Sequence, residues 1–287
     1  MTAGSSLSPH SRPVALLLDM DGVLYRGSTV LPGVPQALDI ASTQGYTLLF
    51  ATNNGWAPHE QILDRLHSMG FSAEPGTVMT AAIASARLLH RHWPATRRPY
   101  VLGSEEVARQ LRDAGLTPVP SDDEMTADSL VVGLDLHLSY RKLTHAQAVG
   151  LQGVPFVATD LDGAYPWEDR WLPGSGAIVA AVEASVGRKA TNAGKPSPLM
   201  YELLLECAPP SSIPVVVGDN LKTDICAGRS AGFPTVAVLT GIASAEAIAT
   251  AVPEERPDYV ASDLLDAVTR VLPQILAASG GPVSIAR

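Results

Sequence analysis

The stretch VALLLDMDGV, residues 14–23, decides the fold. Five apolar residues, Val14 to Leu18, run without a break into Asp19-Met20-Asp21-Gly22. A short continuous apolar run suits a strand buried on both faces, as in a parallel sheet covered by helices on either side. Working outward, Pro32-Gly33 marks a turn, and Val34 to Gln44 has helical spacing that stops at Gly45. A second apolar run, Tyr46 to Ala51, ends in Thr52-Asn53-Asn54-Gly55, and Glu60 to Met69 reads as a helix closed by Gly70. This β-α-β-α order starts a doubly wound α/β sheet.

The middle of the chain is less regular. Helices are predicted over Ala81–His92, Glu105–Ala114, Lys142–Leu151 and Ala177–Val186, and strands over Tyr100–Leu102, Ser129–Leu134 and Pro155–Ala158. Residues 160–176, rich in Asp, Pro, Gly and Trp, read as a loop. Strong signals return with a helix over Pro198–Cys207, a strand over Pro214–Val217 running into Gly218-Asp219, a helix over Asp224–Ala231 and a strand over Thr235–Leu239. The layout predicts a catalytic core split into residues 13–81 and 189–287. A second α/β module, residues 82–188, is inserted between its halves, and residues 1–12 form a polar lead.

Composition narrows the function. The 287 residues are 46% apolar and only 17% charged, which excludes ordinary disorder. Acids outnumber bases 29 to 20, for a net charge of −9, which disfavours nucleic acid and anionic membrane as partners. Two cysteines, Cys207 and Cys226, make no disulfide framework. No apolar run reaches the roughly 18 residues of a membrane span. A cytoplasmic setting is expected.

The chemistry sits at strand ends. In open parallel sheets, sites form beyond the carboxyl ends of the strands. Three apolar strands end in polar groups: Asp19/Asp21, Thr52/Asn53/Asn54 and Asp219. Each alone resembles an ordinary turn; their repetition at one end of three strands does not. Asp19 and Asp21 share a face in an extended segment. Two like charges there call for a cation, and all-oxygen donors without nearby His or Cys favour Mg²⁺, with Asp219 able to supply a third carboxylate. A carboxylate can act as a nucleophile toward a phosphoryl group, and its neighbour as a general acid and base. Lys195, in the sequence AGKPSP, can add positive charge, and Thr52 and Asn53 can donate to phosphate oxygens. Asp224 reads either as a support of the metal or the lysine, or as a helix cap. His90 and His92 have no further ligands in view and read as an exposed helix end.

DMDGV, TNN, GKPSP and GDNLKTDI, in that order, resemble the four motifs of the haloacid dehalogenase superfamily of phosphatases. The chain is most similar to its NagD-like group, subfamily IIA, which carries a large C2-type cap. The stretches ATDLDGAYP and LPGSGAIVAAVE are similar to that group's cap loop and return helix. The resemblance implies a Rossmann-like doubly wound core with an inserted α/β cap. It implies a Mg²⁺-dependent phosphomonoesterase acting on a small phosphorylated metabolite, of glycolate, glycerol, sugar or nucleotide type, through an aspartyl-phosphate intermediate. Asp19 would be nucleophile and metal ligand, and Asp21 the general acid/base and a ligand through its backbone carbonyl. Asp219 would be the third ligand, Asp224 and Asn220 would support them, and Lys195 would stabilise charge. Thr52, Asn53 and Asn54 would bind the phosphoryl group. Asp160, Asp162, Tyr165 and Trp167 would contact the substrate from the cap loop, although packing and loop bonding account for them equally simply. Val23 and Lys222 depart from many relatives, and Lys222 adds charge near the site. Pairing of two copies through the cap is also implied. A phosphomutase using the same intermediate and a non-catalytic sensor of phosphorylated ligands are the alternatives.

Overall fold

The computed structural model describes residues 12–120, 123–167 and 170–279, with the side chains of residues 166 and 167 also outside the description. The strands in chain order are β1 Val14–Asp19, β2 Tyr25–Arg26, β3 Thr29–Val30, β4 Thr47–Thr52, β5 Val78–Thr80, β6 Pro99–Leu102, β7 Ser129–Val132, β8 Phe156–Ala158, β9 Ala164–Trp167, β10 Arg170–Pro173, β11 Thr191–Asn192, β12 Ile213–Gly218, β13 Thr235–Val238 and β14 Tyr259–Ala261. The helices are α1 Val34–Thr43, α2 His59–Ser68, α3 Ala81–His92, α4 Glu105–Asp113, α5 Tyr140–Leu151, α6 Ser175–Val186, α7 Leu199–Leu205, α8 Cys226–Ser230, α9 Ala245–Thr250, α10 Leu264–Asp266 and α11 Leu272–Ala278. Among the described residues, no helix is long and apolar enough to cross a membrane. The chain divides into two compact units: Met1–Ala51, Leu66–Val78 and Leu204–Arg287 form one, and Thr52–Arg65 with Met79–Leu203 the other.

The first unit is built on a sheet of order β14-β13-β12-β1-β4-β5. Strands β1, β4, β12, β13 and β14 pair in parallel. All six residues of β1 are buried, as its unbroken apolar run requires of a strand covered on both faces. From β1 the chain winds one way to β4 and β5, and later returns to β1's other edge with β12 before winding out to β13 and β14. The order therefore reverses between β1 and β12, and a crevice opens at such a point beyond the carboxyl ends of the strands. Leu18 lies opposite Val217, so Asp19 and Asp219 both emerge at that crevice.

The second unit carries its own parallel sheet, ordered β11-β8-β7-β6. Its core gathers Tyr100, Leu130, Val132, Val149, Phe156, Val179 and Val182. Ser104 and Ser139 cap α4 and α5 by accepting from Val107 N and Lys142 N. The stretch expected to be a loop, residues 160–176, contains the β9–β10 hairpin, with Tyr165 opposite Leu172 and Gly174 N donating to the Gly163 carbonyl at 3.0 Å. Its strands are short and its glycines many, so periodicity did not announce them.

Candidate active site

In the first unit, β1 delivers Asp19 at its last position. The chain then turns sharply: the Met20 carbonyl accepts from the N–H groups of Val23, Leu24 and Tyr25 at 3.3, 2.8 and 3.3 Å. Gly22 sits in this turn at φ +80°, and a Cβ there would overlap the Asp219 carboxylate. Only glycine meets both demands. Asp219 follows β12 and is held at two points. Its backbone carbonyl accepts from Ala243 N at 2.6 Å, and its Oδ2 accepts from Ile242 N at 2.8 Å. The Thr240 hydroxyl donates to the Gly22 carbonyl at 2.6 Å, and a Cβ on Gly241 would overlap Asp219.

Asp224 lies in the helical turn Leu221–Ile225, which precedes α8 and starts the helix earlier than its sequence suggests. The Asn220 side chain caps that turn by accepting from Lys222 N at 3.0 Å, and Asp224 Oδ2 accepts from Asn220 N at 3.1 Å. Lys222 itself is exposed. Asp19, Asp219 and Asp224 are 8%, 5% and 1% exposed, and each offers a carboxylate oxygen within 4.8 Å of the others. Asp21, two residues past Asp19, is exposed and its carboxylate is not in that trio. Asp224 therefore bonds within that turn, whose cap is Asn220, and also lies in the acidic cluster.

Three buried carboxylates at this spacing repel strongly in a poorly solvated setting. Their oxygens are hard donors of the kind Mg²⁺ and Ca²⁺ take. The centre suits a divalent cation on the chemistry of its donors.

The second unit gathers the other candidates. The Thr52 hydroxyl accepts from Asn54 N at 3.1 Å, and Asn54 Oδ1 accepts from Ala57 N at 3.1 Å. Asn53 pairs with the backbone of Lys195, accepting from its N–H at 2.9 Å and donating to its carbonyl at 3.0 Å. The other N–H of the Asn53 amide goes to Asp162 Oδ2 at 3.0 Å. Both donors of that side chain are thus engaged, so it acts as a clamp, and donation from it to phosphate is not what this arrangement provides. Gly194 makes the clamp fit: a Cβ there would lie 2.6 Å from the Thr159 carbonyl and 2.8 Å from Asn53 Oδ1. Lys195 is buried.

Asp160 is buried, with Oδ1 accepting from Asp162 N at 3.1 Å and the Thr159 hydroxyl donating to Oδ2 at 3.0 Å. Burial, and then the nearby Asp162 charge, push its carboxyl up to about 7. Tyr165 packs near Trp56, ring centres 6.0 Å apart. Trp167 belongs to β9, and its side chain lies outside the described residues.

The sequence reading missed Thr240, Gly241 and Ile242. The signal was present, since Thr240-Gly241 comes just after the apolar strand β13, as Asp219 comes just after β12.

Comparison with known proteins agrees with this geometry. A family profile described as haloacid dehalogenase-like hydrolase matches residues 16–117, and a second, HAD-hydrolase-like, matches residues 192–267. An acid sugar phosphatase of Staphylococcus aureus (strain MRSA252) is 33% identical over 259 residues, 90% of this chain and 97% of that protein. Chronophin of Rattus norvegicus is 37% identical over 242 residues, 80% of this chain and 78% of its own length. The crystal structure of a glycerol phosphate phosphatase from Mycobacterium tuberculosis in complex with calcium superposes with a TM-score of 0.80 at 33% identity, covering 88% of this chain and 74% of that one. The same protein is also known in complex with magnesium.

Proposed function

Because this chain belongs to the haloacid dehalogenase-like hydrolases and is a phosphoric monoester hydrolase of that kind, we propose that it hydrolyses a small phosphorylated metabolite, with Mg²⁺, through an aspartyl phosphate on Asp19. The observation that carries this reading is the trio of buried carboxylates, Asp19, Asp219 and Asp224, at the reversal point of the first sheet. Asp19 and Asp219 would hold the ion with the Asp21 backbone carbonyl, supported by Asp224 and Asn220. When bound, the ion neutralises these carboxylates and polarises the phosphoryl oxygens.

The chain's own residues do the rest. An oxygen of Asp19 attacks phosphorus while Asp21 gives its proton to the departing alkoxide. Asp21, now a carboxylate, takes a proton from water as that water attacks the aspartyl phosphate, which regenerates Asp19 and releases inorganic phosphate. Exposure of Asp21 suits a group that must exchange protons with solvent. Thr52 and Asn54 contact the phosphoryl group, and Lys195, whose backbone Asn53 grips, balances its charge. Residues 13–81 and 189–287 form the catalytic core in this reading. Residues 82–188 form the cap, whose Asp160, Asp162, Tyr165 and Trp167 select the alcohol. Candidate alcohols are glycolate, glycerol, a sugar and a nucleoside. The relatives named acid sugar phosphatase and glycerol phosphate phosphatase support the sugar and glycerol members of that range. Pairing of two copies through the cap, and a cytoplasmic setting, complete it.

The test is phosphate release from a panel of monoesters, ranked by kcat/KM, with Asp19→Asn and a chelator as controls. We expect Asp19→Asn to abolish turnover and chelation to do the same reversibly. Full activity in either would overturn the mechanism. An isomerised product in place of free phosphate would indicate a mutase.

A further inference from the structure

A buried amide on a helix of the second unit has no place in the chemistry above. Gln110 sits on α4 among the buried Val107, Ala108 and Leu111, and is 2% exposed. Packing alone gives no reason for a polar residue on that face, and burying an amide is costly unless its groups are bonded. All three of its polar connections lead elsewhere. Nε2 donates to the carbonyls of Gly55 at 3.1 Å and Ala57 at 2.9 Å. Oε1 accepts from the Thr80 hydroxyl at 2.5 Å. Thr80 Oγ1 in turn accepts from Ile83 N at 3.1 Å as the cap of α3, which leaves its proton for Gln110. Two carbonyls on one side and a donating hydroxyl on the other fix which end of the amide points where.

Gly55 and Ala57 belong to the loop that follows Thr52, the last residue of β4. Within that loop, Asn54 N is tied to Thr52 and Ala57 N to Asn54. Gly55 lies so close to α3 that a Cβ there would meet Ala82 N at 2.8 Å. Arg109, next to Gln110, reaches Glu60 just beyond the loop while also holding Glu106. The helix thus grips residues 55–60 at two successive side chains, and Gln110 holds the carbonyls of Gly55 and Ala57, one and three residues past Asn54.

We propose that Gln110 is a positioning residue for phosphate binding: from α4 it sets the backbone of Thr52–Ala57 in the form that receives a phosphoryl group. This rests on the reading that Thr52 and Asn54 contact phosphate. It places a determinant of phosphate affinity on a helix far in sequence from every motif. The class of ligand affected is the phosphoryl group itself, whatever alcohol it carries.

The experiment uses the full chain. Gln110→Leu keeps the volume and removes all three bonds. Thr80→Val removes the hydroxyl that both orients the amide and caps α3, and Thr80→Ser, which keeps both bonds, is the conservative control. KM and kcat for 4-nitrophenyl phosphate, the inhibition constant of orthophosphate and hydrogen exchange at the amides of residues 54–57 are read well below the melting temperature. We expect Gln110→Leu to raise KM and the orthophosphate constant together by about tenfold, with kcat changed much less, as for loss of binding common to ground and transition states. Exchange at 54–57 should quicken while β7 stays protected. Thr80→Val should shift the same constants in the same direction and Thr80→Ser should not. Unchanged constants in both Gln110→Leu and Thr80→Val, with only a lowered melting temperature, would overturn the proposal. Should Gln110→Leu fail to fold, the contrast between Thr80→Val and Thr80→Ser decides it alone. Quickened exchange in a chain whose wild type releases no phosphate from any ester would leave the loop's anchor in place and refute the phosphatase reading instead.

Discussion

Replacing Asp160 by Asn should make the second unit more stable at pH 8 and leave it nearly unchanged only below about pH 4. Asp160 is buried, and its carboxyl is pushed up to about 7 by burial and then by the charge of Asp162. In the unfolded chain an aspartate titrates near 3.9. Between about pH 4 and pH 7 the folded protein therefore keeps a proton that the unfolded chain has given up. Stability falls as pH rises through that window, because deprotonation then favours the unfolded state. The stabilisation is fully present below about pH 4 and gone above about pH 7. Three pH units correspond to about 4 kcal/mol as a ceiling, at about 1.4 kcal/mol per unit. Asparagine mimics the protonated form at every pH. Its Oδ1 can still accept from Asp162 N, and the Thr159 hydroxyl, which donates to Asp160, can accept from the new amide instead. The assay is urea unfolding at pH 5, 6, 7 and 8, followed by tryptophan fluorescence. All four tryptophans, Trp56, Trp93, Trp167 and Trp171, lie in the second unit, so the signal reports on that unit. The stability of the variant minus that of wild type should climb by roughly 2–3 kcal/mol from pH 5 to pH 8, the share of that ceiling which falls above pH 5, with other titrating groups cancelling in the difference. A difference that stays flat over that range would refute the reasoning.

Other expectations test the two clusters separately. Gly22→Ala puts a side chain at φ +80° against the Asp219 carboxylate, so divalent-ion affinity by calorimetry should fall at least about tenfold, with about 1–3 kcal/mol of stability lost to backbone strain; wild-type affinity would contradict the packing described. Asn53→Ala removes three hydrogen bonds that tie Lys195 and Asp162 to the loop after β4. At about 1 kcal/mol each, it should cost the second unit up to about 3 kcal/mol in the same fluorescence assay, and a loss under about 0.5 kcal/mol would remove the clamp from the account.

Much of the site was legible because its signals are local. Asp19 and Asp219 each follow an apolar run, and a buried parallel strand must end at the edge where ligands bind. Gly22 and Gly194 stand beside chemical residues for reasons of space that a sequence can hint at but not measure. Asp224 was ambiguous from its position, since an acid near a helix start is both a common cap and a plausible support of the metal or the lysine. Its oxygen in fact serves Asn220 N and faces the acidic centre together. Asn53 was read as a phosphate donor because it sits in a strand-end motif, while its two amide donors are taken by Lys195 and Asp162, 142 and 109 residues away.

What the chain determined by itself were the two kinds of strand, the places where they end and the residue types found there, because periodicity and turn chemistry act over a few positions. The three-residue β14 and the short hairpin β9–β10 escaped notice for the same reason, since runs so brief carry no period. Tertiary structure alone decided partnership. That Thr240 and Ile242 would buttress Gly22 and Asp219, and that Gln110 would hold Gly55 and Ala57, depends on which carbonyls and N–H groups folding leaves buried without a local partner. Such groups must be satisfied by whatever side chain the packing brings near, and nothing in the neighbouring sequence says which one that will be.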